Sequence, residues 1–215
     1  MKIDFSGKFY TVGTRITDIV LLNLIYLVFC LPVVTIGAAT TALYYVALKM
    51  AENKDSYIFR SFFKSFKENF RQSTIIWLIL LVIGLFISID FRIILAQDGS
   101  FFKIFLYLLS MTTVLLLFVL LYVFPVLSKF YNSIKATFKN AFLMSLRHLP
   151  YTLAIFFISA LPFLVFLTNM MILLRLLPLL LLCGFSLPAY LNSLLFKRIF
   201  VHYIPEEEST PDAPL

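Results

Sequence analysis

Charge is scarce in this chain. Only 13% of its 215 residues are Asp, Glu, Lys or Arg, and 61% are hydrophobic, with a mean hydropathy of +0.97. Soluble domains carry about 25% charged residues, so a soluble enzyme core and a disordered chain are both excluded. Cysteine is nearly absent too. Cys30 and Cys183 lie inside apolar runs at no zinc or redox spacing, which excludes a disulfide scaffold and leaves two small packed hydrophobes. The six glycines are scattered and form no Gly-x-x-x-x-Gly-Lys-Ser/Thr, so the chain carries no phosphate-cradling loop. His148 and His202 have no Cys, His or carboxylate partners at metal-ligand spacing, and no Ser, Thr or His stands in a nucleophile pattern. The expectation is a protein with no enzymatic activity, no cofactor and no metal.

What the chain has is long apolar runs. A helix crossing a bilayer needs about 20 mostly apolar residues, and Ile75–Ile94, Ile104–Leu127, Tyr151–Met171 and Leu173–Phe196 all qualify. A fifth block, Ile16–Met50, is charged only at Asp18 and Lys49 and is interrupted near Pro32 and Gly37. As one helix it would run about 52 Å, too long for a hydrocarbon core of about 30 Å. It therefore holds either one span followed by a further helix, or two short spans. Although Lys2, Lys8 and Arg15 precede its apolar stretch as in a signal peptide, no small-x-small cleavage site follows, so this segment is expected to stay in the mature protein.

Basic residues orient the spans. Twelve of the 18 fall in three groups: Lys49 to Arg71, Lys129 to Arg147, and Lys197 with Arg198. The positive-inside rule places these segments in the cytoplasm. Five spans put the N-terminus outside, with 12 basic residues inside and 6 outside; six spans put it inside, with 15 and 3. Charge favours six. The stretch from Gly37 to Met50, rich in small and hydroxylated residues, makes a poor lipid-facing span and favours five. A weak internal echo agrees with five: apolar runs ending at Pro32, Pro125 and Pro188 are each followed by polar-bearing helical sequence, as though proline broke the helix leaving the membrane. The expected fold is thus all-α, a polytopic transmembrane bundle of five spans, or six, in one domain over residues 1–204. An acidic disordered cytoplasmic tail over 205–215 follows it.

Both basic loops carry aromatic residues at helical spacing. Phe59, Phe62, Phe63, Phe66 and Phe70 recur in the first, and Phe130, Ile134, Phe138, Phe142 and Leu146 in the second. The loops also match locally, Phe66-Lys-Glu-Asn69-Phe70 against Phe138-Lys-Asn140-Ala-Phe142. Each reads as an amphipathic cytoplasmic helix lying on the headgroups, or docking on a partner. Within the spans ionisable groups are nearly absent, which weakens a proton-driven carrier. Asp18 and Asn23 are expected to bond to a neighbouring helix.

The stretch Leu31-Pro32-Val-Val-Thr35-Ile-Gly37-Ala38-Ala-Thr40-Thr41-Ala-Leu-Tyr44, followed by Ser56 to Phe70, resembles the signature of the YesL-like family of bacterial multi-span membrane proteins. The resemblance runs on through Phe138–Phe142 and Arg147–Pro150. It implies a place in the bacterial cell membrane and an association with carbohydrate uptake, as an accessory subunit or assembly factor of an ABC importer for oligosaccharides. The partners so implied are the permease subunits and, through them, the ATPase and the sugar-binding protein, together with membrane lipid; nucleic acid is not among them. The alternatives are a permease-like translocating subunit and a membrane sensor of carbohydrate. The small residues from Gly37 to Thr41 leave room for close helix approach, and on this reading they meet the permease.

Overall fold

The protein, as a computed structural model, is described over residues 5–54, 57–97, 99–165 and 170–203. The acidic tail expected at 205–215 lies outside these residues. All regular elements among them are helical.

Helix α1 (Phe5–Cys30) stops where Pro32 can no longer donate a backbone hydrogen bond and forces Leu31 out of helical geometry. After a single 3-10 turn, Val33–Thr35, helix α2 (Ile36–Ala51) begins. The Thr35 hydroxyl spans the break and donates to the carbonyls of Phe29 at 2.6 Å and Pro32 at 2.7 Å. At the far end of α2, Arg15 of α1 donates to Asn53 Oδ1 at 3.0 Å. Arg15, ten residues inside α1, therefore lies beside the end of α2, and the two helices form a hairpin.

Helix α3 (Ile58–Leu95) is one uninterrupted helix of 38 residues, about 57 Å long. The sequence predicts a surface helix over Tyr57–Arg71 separate from a span over Ile75–Ile94; the structure joins them. Neither Pro nor Gly stands between Ile58 and Ile83, and the inward positions Ile58, Ser61, Phe62, Ser65, Ser73, Ile76 and Leu80 keep helical period across the expected boundary.

Helix α4 (Ser100–Lys129) returns beside α3 and carries Pro125 inside it. The break predicted at Pro125 does not occur. Helix α5 (Ile134–Arg147) is capped by the Ser133 side chain, which accepts from the Ala136 amide. It turns through 104° at His148 into α6 (Leu149–Leu164). Helices α7 (Met170–Cys183) and α8 (Ser186–Phe200) meet at 54° across Gly184 and Phe185, so the expected span Leu173–Phe196 is two helices. Pro188 falls in the first turn of α8, where proline costs no hydrogen bond.

The second aromatic stripe is divided between the chain's interior and its surface: Ile134 and Phe138 pack against the core. On α5 the buried residues are Thr137, Ala141, Met144 and Ser145, while Phe142 and Leu146 are exposed. Phe130 precedes the helix and packs on Phe200, so the stripe counted from Phe130 begins outside the helical register.

Among the described residues four helices are long and apolar enough to cross a membrane, which makes up to six spans if each bent pair is one span. Helix α2 lies at the centre, packed by α1, α3, α4 and α8. Its own sequence explains this place: Gly37, Ala38, Ala39, Ala42 and Ala47 are small enough for neighbouring backbones to come close.

Candidate functional site

Gly37 marks a close helix contact. A Cβ placed there would stand 2.6 Å from the Ser73 carbonyl oxygen and 2.6 Å from Trp77 Cβ. One turn on, the Thr41 and Ser73 hydroxyls pair at 3.0 Å inside the core. Trp77 donates its indole N–H to the Val33 carbonyl at 2.8 Å, locking α3 to the α1–α2 break. The family-like stretch is therefore spent inside the chain from Gly37 onward, while Leu31 to Val34 at the break stay exposed. Gly37, Ala38 and Thr41 are buried against neighbouring helices, so the expectation that these small residues meet a permease is replaced by packing of α2 on α3.

The aromatic positions divide. Phe62 is fully buried and Phe66 half-buried, both against Phe29 of α1, with ring centroids 5.5 and 4.9 Å away. Phe59 and Phe70 face outward. Asn69 bonds back to the Ser65 carbonyl at 3.0 Å. On α5, Phe138 packs against the core, and Asn140 lines a surface hollow with Arg147 and Tyr203.

Between the two breaks lies a cavity of about 460 Å³. Tyr26 and Cys30 of α1, Ile36, Thr40 and Tyr44 of α2, and Trp77 of α3 line one side. Leu121 and Phe124 of α4, Ser159 and Pro162 of α6, and Phe185, Ala189 and Asn192 from the α8 end line the other. The space exists because α8 is built of two unlike halves: Ser186, Ala189, Asn192 and Ser193 form a small inward face, and Phe196 and Phe200 fill the interior only beyond it.

The broken ends that flank the cavity are already satisfied by side chains. Asn23, wholly buried in α1, donates to the carbonyls of Leu180 at 3.1 Å and Leu181 at 2.8 Å and accepts from the amides of Phe185 at 2.9 Å and Ser186 at 3.0 Å. One carboxamide thus serves the end of α7 and the start of α8. Thr35 and Trp77 do the same work at the α1–α2 break. In a membrane such groups have no water to turn to.

The polar pole of the cavity is Asn192. Its side-chain amide donates to Ser159 Oγ at 2.8 Å and to the Tyr44 hydroxyl at 3.4 Å, while its Oδ1 has no hydrogen-bond partner among the described residues. Tyr26 and Thr40 form a second, self-contained pair at 3.3 Å. No charged side chain lines the cavity, and no cluster of His, Cys, Asp or Glu able to hold a metal occurs among the described residues. Tyr44 is legible in the sequence as part of the family-like stretch. Asn192 and Ser159 escape a sequence reading, although a lone Asn in the apolar run Tyr190-Leu-Asn-Ser-Leu-Leu195 is the signal that points to the first of them.

A family model described as a protein of unknown function, DUF624, matches residues 19–91, which hold most of α1, the break, α2 and nearly all of α3. The Uncharacterized protein YesL of Bacillus subtilis (strain 168) is 32% identical over 136 residues, covering 61% of this chain and 64% of that protein. The match thus spans less than two thirds of that relative's length. No solved structure matches the chain. The Pro32 break, the Gly37 contact and the central α2 all lie inside the matched region, and over that region the chain is similar to the DUF624 model and to YesL.

Proposed function

We propose that this chain is an accessory, non-enzymatic membrane subunit of an ABC importer for oligosaccharides in the bacterial cell membrane, and that it packs against the permease. The observation that supports a partner is the outer half of the α3–α4 hairpin. Inward positions on α3 end at Leu80, and those on α4 begin only at Tyr122. Between them Leu85, Phe86, Ile89, Phe101, Tyr107 and Met111 are exposed, Phe86 by 64% and Tyr107 by 73%. This pair of helices offers a long apolar surface that the other described residues leave uncovered, suited to a second helix bundle in the same bilayer. The motif Gly37–Thr41, being internal, plays no part in that contact.

Six crossings suit the geometry better than five. The Arg15–Asn53 hydrogen bond holds Arg15, ten residues inside α1, at the same end as the first basic loop, which supports both the N-terminus and the loops facing the cytoplasm. The division of 15 basic residues inside against 3 outside then follows the positive-inside rule.

The test is purification from the native membrane in a mild detergent. Permease and ATPase subunits should accompany the chain, and Phe86→Ala with Tyr107→Ala should release them without loss of inserted protein. Recovery of the chain alone, at native expression in several detergents, sinks the reading.

A further inference from the structure

We propose that the cavity between the two broken helices binds an uncharged membrane lipid bearing one free hydroxyl on an aliphatic tail, with the hydroxyl held by Asn192. The site is independent of any importer partner. Three observations define its ligand.

The first is an unanswered polar group. Asn192 is fully buried, its amide nitrogen is committed to Ser159 and Tyr44, and its Oδ1 has no partner among the described residues. An unpaired buried acceptor is costly, so a ligand that supplies one donor gains where a purely apolar one does not. A hydroxyl supplies that donor to Oδ1, and an ether oxygen does not.

The second is neutrality. No Asp, Glu, Lys, Arg or His lines the cavity. A charged headgroup placed here would be desolvated without a counter-ion.

The third is the apolar remainder. Leu27, Leu43, Leu120, Phe124, Phe163 and Phe185 belong to a mainly apolar wall, and the polar groups of the two breaks are consumed by Asn23, Thr35 and Trp77. A sugar would leave several hydroxyls unpaired against such a wall. The volume, about 460 Å³, lies within the range of small-molecule sites. Phe163 at the rim is 60% exposed and belongs to a helix in one of the candidate spans, so access is from the hydrocarbon rather than from water.

The experiment uses the full chain in phosphatidylethanolamine–phosphatidylglycerol vesicles and a photoactivatable hexadecanol, beside its methyl ether at equal loading. The ether cannot donate to Asn192. The alcohol should label α6 and α8 residues around the cavity about tenfold more than the ether, a difference of about 1.4 kcal/mol. Asn192→Leu should bring the alcohol down to the ether's yield, and Ala189→Leu, which fills the space, should reduce both. Equal labelling of the wild-type chain by alcohol and ether overturns the proposal, and this comparison needs no variant to fold. Displacement of the alcohol by millimolar maltotriose would overturn it in favour of a sugar site.

Discussion

Asn23 and Ser186 hold each other across the α7–α8 break: the Asn23 carboxamide oxygen accepts the Ser186 amide at 3.0 Å, and the Ser186 hydroxyl donates to the Ile19 carbonyl, one turn earlier in α1, at 2.7 Å. The bend is therefore fixed from outside by α1. Replacing Asn23 with Leu removes four hydrogen bonds at once and leaves only the Leu180 carbonyl with a further partner, the Gly184 amide. The expected loss is about 2–4 kcal/mol, given roughly 1–3 kcal/mol for a buried group left unsatisfied and some relief from rearrangement in the membrane. Thermal unfolding in detergent micelles checks this. A variant as stable as the wild type would mean the break satisfies itself without α1.

Glycine positions give a paired test of the α2–α3 contact. Gly37→Ala should destabilise by about 1–3 kcal/mol, because its Cβ meets the Ser73 carbonyl and Trp77 Cβ at 2.6 Å and neither can move freely. At Gly84, on the same α3, an added Cβ would meet nothing within 4 Å, so Gly84→Ala should be neutral or stabilise by up to about 1 kcal/mol through helix propensity. Unfolding midpoints of the two variants should move in opposite directions, or one should fall while the other stays.

The sequence leaves the place of α2 open for a definite physical reason. Its small and hydroxylated residues do make a poor surface for lipid, and that argues against a lipid-facing helix. It does not argue against a crossing helix, because a span surrounded by other spans need not face lipid at all. The sequence carries the break at Pro32, which depends on local backbone chemistry. It carries the role of Asn23 as well, since a polar group in an apolar run must find a partner. The inward phase of α5 is hidden because Phe142 and Leu146 are exposed, while Thr137 and Ser145 point inward. In a bilayer hydrophobicity no longer separates inside from outside, and residue size does so better. The cavity is unreadable for a related reason: it depends on which small residues of α2, α6 and α8 share one level, and spacing along one chain segment does not show that.

A pH dependence should arise at the basic end. Glu52, which ends α2, accepts from Lys129 at 2.6 Å and pairs with Lys54 at 2.8 Å, so it ties α2 to the end of α4. Burial pushes its carboxyl upward, but hydrogen bonds from Lys129 and then Lys54 outweigh this and hold it below its ordinary value of 4.5. The unfolded chain thus takes up the proton first as pH falls. The stabilisation is fully present above about pH 4.5 and is lost as the pH drops through the lower folded value. Unfolding midpoints of wild type and Glu52→Gln, measured from pH 7 to pH 3, should converge toward the acid end. Parallel curves would show that the carboxylate contributes nothing.

The last prediction separates six crossings from five. If α1 and α2 both cross, as the Arg15–Asn53 hydrogen bond between them suits, the N-terminus and the first basic loop share one face of the membrane. A green fluorescent protein fused to the N-terminus folds only in the cytoplasm and should fluoresce. Alkaline phosphatase, active only outside, should be silent in the same place. Cysteines at Lys54 and Lys135, in a background lacking Cys30 and Cys183, should resist an impermeant thiol reagent in intact cells and react after permeabilisation. The N-terminal reporter decides the count, because five crossings reverse it while leaving the two loops unchanged. An active phosphatase fusion with both loops protected would mean that α2 does not cross, and the Arg15–Asn53 contact would then have to be abandoned.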